Sequence, residues 1–227
     1  MENNTLPPKT QAAPSLDEQT NDQPRAVYLT AEDLRVAASI IYNAYHDDPF
    51  FIEALATANK ANYEQKLRAA IREELTELWQ QEQPLIGWFE GKRLIGVACV
   101  ITHQVPLGES RYWHWRLKMV LGTGWSSTQA FIKKEHTILE SLPSKQYGIL
   151  QFIALSPNEQ RKGNGAKLIQ AVLSWCDEQL ELDGIGVFVN NDKHAALFIG
   201  EGFGHLSDQT IGSVDGEILI YQSKSEQ

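Results

Sequence analysis

Apolar residues along the chain recur at two spacings, and each change of spacing marks the border of an element. Alternating or unbroken apolar runs predict strands over residues 26–29, 85–89, 94–101, 147–155, 185–189, 202–206 and 217–221. Helical spacing predicts helices over residues 63–79, 113–121, 127–142, 165–182 and 194–200. A further helix opens at Thr30, with Asp33 three positions on as a capping acid, runs through Ala44 and stops at Asp48-Pro49. Glu90-Gly-Lys-Arg93 has the composition of a hairpin loop, so the second and third strands are expected to pair antiparallel. Antiparallel strands come first and a strand-helix-strand unit later. The expected fold class is therefore α+β, a mixed, mostly antiparallel central sheet with helices on both faces.

Residues 1–24 are polar and rich in Pro, Gln and Asn, and bury too little apolar surface to offset their ordering entropy. Residues 1–25 are expected to form a disordered tail and residues 26–223 one domain. That tail lacks the basic start and apolar run of a secretory signal, and no later run is long enough to span a bilayer. A cytoplasmic protein with no membrane partner is expected. The net charge of -9 gives no footprint for a phosphate backbone, which argues against nucleic acid. Cys99 and Cys176 lie in apolar segments without CxxC spacing or paired His, so neither a metal site nor a disulfide is indicated.

The chemistry concentrates after the strand that ends at Leu155. Ser156-Pro-Asn-Glu-Gln160-Arg161-Lys162-Gly163-Asn164-Gly165-Ala166 leads into a helix carrying Leu168, Ile169, Val172 and Leu173. Glycines at the mouth of a helix let backbone N–H groups converge on one point, where the helix dipole favours an anion. Arg161 and Lys162 add positive charge beside it. A Walker loop needs a Lys-Ser/Thr pair after its last glycine, and Ala166-Lys167-Leu168 lacks one. A dinucleotide fingerprint needs a third small residue where Leu168 stands.

Ile153-Ala154-Leu155-Ser-Pro157 followed by Gln160 to Gly165 resembles the acyl-CoA-binding segment of the GNAT superfamily of N-acetyltransferases. Val187-Phe-Val-Asn-Asn191, then Ala195-Ala-Leu-Phe198, then Gly202-Phe203 resembles a second segment of that family. The resemblance implies acetyl-CoA as co-substrate, a small amine as acceptor and no metal; a homodimer is left open. It implies that the pyrophosphate sits on the amides of Arg161, Lys162, Gly163, Asn164, Gly165 and Ala166, next to Gln160. The pantetheine arm is expected along Ile153, Ala154 and Leu155, where that strand splays from its neighbour, with the Leu155 N–H polarising the thioester carbonyl. Asn191 would reach the arm, although Asn is an equally good helix cap.

Direct attack by an amine needs no protein nucleophile. An alkyl amine with a pKa of about 10.4 is about 3.4 units from neutrality at pH 7, so freeing its lone pair costs about 4.6 kcal/mol. A general base is therefore expected. Histone-acetylating members of the family carry a glutamate where this chain has Ile149, and many members carry an acid tyrosine where it has Phe198, whose ring the resemblance would still pack beside the coenzyme sulfur without a proton to give. His103 leads the remaining candidate bases, ahead of Glu109, His114, His136, Asp47 and Asp48. Tyr112, Trp113, Trp115 and Trp125 could wall an acceptor pocket or simply pack two helices on a sheet. A coenzyme-binding module without turnover and a protein-amine acetyltransferase are the rival readings.

Overall fold

The computed structural model describes residues 24–57, 59–102 and 109–224. The order of elements is β1 (Arg25–Tyr28), α1 (Leu34–Tyr45), α2 (Pro49–Ala54), α3 (Lys60–Gln80), β2 (Leu85–Glu90), β3 (Arg93–Ile101), α4 (Glu109–Thr123) and α5 (Trp125–Ser141). There follow β4 (Tyr147–Leu155), α6 (Asn164–Asp177), β5 (Gly184–Val189), α7 (Asp192–Gly200), β6 (Gly204–Ile211) and β7 (Val214–Gln222). The strands form one sheet in the order β1-β2-β3-β4-β5-β7-β6. Every neighbouring pair is antiparallel except β4 and β5. The expected α+β class, with helices on both faces, is what the chain adopts.

Two cores follow from the alternation of the strands, whose phase shifts at a bulge in the β2–β3 ladder and at another in the β3–β4 ladder. Val97, Cys99, Ile101, Phe152 and Ala154 face one side and pack with α1, α2 and α3. Ile95, Ala98, Val100 and Leu150 face the other side and pack with α6 and α7. Both faces of β3 and β4 are thus covered, which is why their sequences read as continuous apolar runs.

Three sequence expectations shift. Asp48-Pro49 ends α1 but also starts α2, because the Asp48 side chain caps the Phe51 N–H and Pro49 occupies the first helical turn. The sixth helix closes at Asp177 rather than at residue 182, since Leu180 is exposed and buried Leu182 already belongs to the turn into β5. The last two strands are longer than predicted because β6 is largely solvent-facing and its polar residues hide the strand period.

Candidate functional site

β4 and β5 pair only through Tyr147 with Gly184, Gly148 with Ile185 and Ile149 with Gly186. Beyond Ile149 the two strands part, which opens the sheet beside the second half of β4. The Ser156 N–H donates to the Ile95 carbonyl at 2.8 Å, so Gly96 with Leu155 and Ala98 with Ile153 are non-hydrogen-bonded pairs of the antiparallel ladder. The backbone N–H and C=O of Ile153 and Leu155 therefore point away from β3 and into the opening. Those of Ala154 pair with Val97 instead, so its backbone does not face the opening as the sequence reading expected.

The two outward-facing residues have different neighbours. The Tyr45 hydroxyl, at the end of α1, donates to the Ile153 carbonyl at 3.3 Å and accepts from the Ile153 N–H at 3.2 Å. Burial raises the Tyr45 phenol above its ordinary pKa, so it stays protonated and able to donate. The Leu155 carbonyl accepts from Gln160 Nε2 at 3.4 Å, while its N–H faces the opening.

At the mouth of this opening the loop from Gln160 to Gly163 turns into α6. Arg161 adopts φ 61° and Gly163 φ 79°, both left-handed, ahead of a right-handed helix. Such alternation of hand turns successive N–H groups toward one point, and the first-turn amides of α6 have no intrahelical acceptor. Gln160, Arg161, Lys162 and Gly163 are exposed, whereas Asn164 is buried. The Asn164 side chain braces the loop, donating to the Glu159 carbonyl at 3.4 Å and accepting from Trp88 Nε1 at 3.5 Å. Gly165 and Ala166 are half-buried.

Glu159 stiffens the loop from below. Its carboxylate is buried and meets Lys162 Nζ at 3.0 Å and an Arg93 guanidinium nitrogen at 2.8 Å. These partners, Lys162 first, hold its pKa below the ordinary carboxylate value. Arg93 also engages Glu90. Lys162 is thus partly committed to Glu159, and Arg161 is the loop cation that has no such carboxylate contact among the described residues.

The remaining sequence candidates scatter. Asn191 caps α7 by accepting from the Lys193 and His194 N–H groups at 3.0 and 3.3 Å, which is its helix-cap alternative. Phe198 is buried, edge-on to Phe203 at 5.1 Å between ring centroids. Ile149 is fully buried in the sheet, where a glutamate would have no water. His136 is exposed on α5 and pairs with Glu140, Asp47 is exposed beside His46, and Asp48 caps α2 while accepting from Asn190 Nδ2 at 3.0 Å. His103 lies outside the described residues, as do the side chains of Glu109, Tyr112, Trp113 and His114. Trp125 is exposed, whereas Trp115 is buried and donates to Glu74 at 2.8 Å.

The sequence reading missed Tyr45, whose hydroxyl stands at the β4 opening. Tyr45 is one of several aromatics on a helical face, and nothing local distinguishes the one whose hydroxyl reaches a strand 108 positions away. Among the described residues no cluster of His, Cys, Asp and Glu could hold a metal ion, and no helix is long and apolar enough to cross a membrane.

The sequence model described as the acetyltransferase (GNAT) family matches residues 50–204, more than half of the chain. No curated protein matches the sequence. Among solved structures, the histone acetyltransferase HPA2 and related acetyltransferase from Corynebacterium glutamicum aligns at 14% identity with a TM-score of 0.64, covering 88% of this chain and 96% of that one. The C-terminal condensation domain of Ebony, in complex with beta-alanyl-dopamine, aligns at 14% identity and TM-score 0.62, covering 88% and 99%. AAC(6')-Ib in complex with paromomycin and acetyl-CoA aligns at 14% identity and TM-score 0.50, covering 90% and 96%. At these identities the likeness is one of fold.

Proposed function

From the premise that this chain belongs to the GNAT acetyltransferase family, we propose that it moves an acetyl group from acetyl-CoA to the amine of a small molecule. The observation that carries the reading is a juxtaposition. The amide-lined loop from Arg161 to Ala166 stands at the mouth of the same opening into which Ile153 and Leu155 direct their backbone groups. A ligand with a phosphate end and an extended amide-bearing arm fits both, because the nest takes the anion and an exposed strand edge pairs with amides. A fold relative holding acetyl-CoA is consistent with that ligand.

In this reading the pyrophosphate rests on the amides of Arg161 to Ala166, with Arg161 supplying charge. The arm runs along Ile153 and Leu155. The acceptor nitrogen attacks the thioester carbonyl carbon, so a C–N bond forms as the C–S bond breaks, and the sulfur departs as thiolate with the bonding pair. The Leu155 N–H donates to the carbonyl oxygen as its negative charge grows. Phe198 and Ile149 supply neither acid nor base, so the proton lost from nitrogen passes to another base, directly or through water, for which His103 is the candidate. A thiol pKa of about 8.5 makes the thiolate a tolerable leaving group without a protein acid. The reaction takes place in a ternary complex, in the cytoplasm.

Phe198 favours one second reading, a coenzyme-binding module without turnover, because its ring is packed against Phe203 and brings no proton donor. A thiol-release assay with acetyl-CoA and a panel of amines separates the two. Amine-dependent release of one thiol per amide formed supports transfer. Saturable coenzyme binding without release for any amine would leave only the module.

A further inference from the structure

The two backbone edges that β4 turns into the opening are held differently. Leu155, nearer the loop before α6, takes the exposed Gln160 amide on its carbonyl at 3.4 Å and leaves its N–H facing the opening. Ile153 lies two residues deeper, about 7 Å along the strand. There the Tyr45 hydroxyl meets both groups, accepting from the N–H at 3.2 Å and donating to the carbonyl at 3.3 Å. β5 has left β4 after Ile149, so the phenol supplies at Ile153 the donor and the acceptor that an amide of an extended ligand would bring. A carbonyl has two lone pairs and can keep two partners, but an N–H carries one hydrogen. The Ile153 N–H therefore bonds either Tyr45 or an incoming amide carbonyl.

Packing fixes where this hydroxyl stands. Tyr45 is the last residue of α1, and its ring is edge-on to Phe51 and to Phe152 with 5.5 Å between centroids in each case. The Asp48 N–H donates to the Tyr45 carbonyl at 3.2 Å, and the Asp48 side chain accepts from the Phe51 N–H at 3.2 Å and from Asn190 Nδ2 at 3.0 Å. Phe51 belongs to α2, whose Glu53 carboxylate accepts from the Ser213 N–H at 2.9 and 3.0 Å in the turn between β6 and β7. Tyr45 is thus tied through α2 to two other edges of the sheet. Its hydroxyl leaves Ile153 only when the ring shifts against Phe51 and Phe152.

We propose that the Tyr45 hydroxyl is a gate on the inner half of the opening, which holds Ile153 in the free chain and yields to the arm of the coenzyme. The proposal rests on the coenzyme reading for the arm and on the two hydrogen bonds for the gate. An arm that must displace Tyr45 binds with an affinity lowered by the fraction of chains in which the hydroxyl is released. A ligand that carries the pyrophosphate without the arm does not meet the gate.

Calorimetric titration of the full chain and of Tyr45→Phe with coenzyme A and with adenosine diphosphate tests it. Removing the hydroxyl should tighten coenzyme A about three- to tenfold, the range spanned by the net worth of a neutral hydrogen bond. Affinity for adenosine diphosphate should not rise. Should the variant fail to fold, the Tyr45 ring-carbon resonance of the carbon-13-labelled parent decides, shifting with coenzyme A and staying in place with adenosine diphosphate. Coenzyme A that binds the folded variant no tighter than the parent, an equal gain for both ligands, or a resonance that coenzyme A leaves unmoved would overturn the gate alone. Coenzyme A that binds neither protein would defeat the coenzyme reading beneath it.

Discussion

Substitution of Gly163 separates the geometry of the anion loop from its chemistry. This residue sits at φ 79° and ψ -1° at the entry to α6, and a Cβ built there meets nothing within 4 Å. Any cost is therefore backbone strain and not a clash. An L-residue in the left-handed region costs about 1–2 kcal/mol, least for Asn and most for a β-branched side chain. For a domain of this size about 1 kcal/mol moves the melting temperature by about 2–4 °C, so Gly163→Val should lower it by about 2–8 °C and Gly163→Asn by much less. If the loop relaxes out of the left-handed region, its amides diverge. Losing one charge-assisted hydrogen bond, worth about 1.5–3 kcal/mol, weakens coenzyme A by about 10- to 150-fold. Gly165 is the control: its added Cβ would lie 3.4 Å from Leu197 Cδ2 and 3.9 Å from Leu155 Cδ1, ordinary contacts, in a helical residue. Gly165→Ala should melt at or above the parent temperature, since Ala favours a helix over Gly by about 1 kcal/mol, and Gly165→Val should weaken coenzyme by crowding the nest. Thermal melts with calorimetric titrations supply both readouts. A folded Gly163→Val protein with parental coenzyme affinity, or one that melts together with Gly163→Asn, would refute the reasoning.

Three other expectations follow from buried aromatic groups. Phe198→Tyr should fold, hold coenzyme affinity within threefold and leave turnover equal or higher by donating to the departing thiolate; a lower melting temperature with turnover cut by orders of magnitude would show a hydroxyl stranded in packing, at a cost of about 1–3 kcal/mol. Tyr45→Phe removes the partner of both Ile153 backbone groups, so the melting temperature should fall while coenzyme affinity rises, and an unchanged melt would mean that water replaces the hydroxyl without cost. The Tyr63 and Tyr221 phenols are pushed up to about 12, chiefly by burial, with Asp177 also raising Tyr221. Above the ordinary tyrosine value the unfolded chain loses these protons first, so it binds fewer protons than the folded state and stability falls as pH rises from 10.0 toward 12. Urea midpoints at about pH 8 and about pH 11 should show that drop, and equal midpoints would contradict it.

The parts of the fold that were legible are those in which local chemistry and tertiary demand coincide. β4 reads as a strand because both of its faces are covered, and the Gln160 to Gly165 loop reads as an anion site because glycine at a helix mouth has a backbone meaning without any neighbour. Asn191 was ambiguous in sequence because the same side chain that could reach a ligand is an ideal cap, and the structure shows it capping. α2 was hidden because Asp48-Pro49 is both a stop and a start. The buried contacts of Glu74 were not legible at all. Glu74 looks like any helical glutamate until Trp115 and Gln151, 41 and 77 positions away, converge on it. Alternation along β4 also could not be phased from sequence, because a bulge between Cys99 and Val100 shifts the β3 partner. That phase decides that Ile153 and Leu155, rather than Ala154, face the opening.

The central claim is that the loop before α6 and the part of β4 that splays from β5 form one coenzyme A site. Calorimetric titration of the intact chain with coenzyme A tests it most directly, paired with a melt at about a hundredfold excess over Kd. One coenzyme per chain is expected, with stabilisation of about 2.7 kcal/mol at that excess and a weaker response in folded Gly163→Val. Neither heat nor a change in melting temperature at millimolar coenzyme A would contradict it.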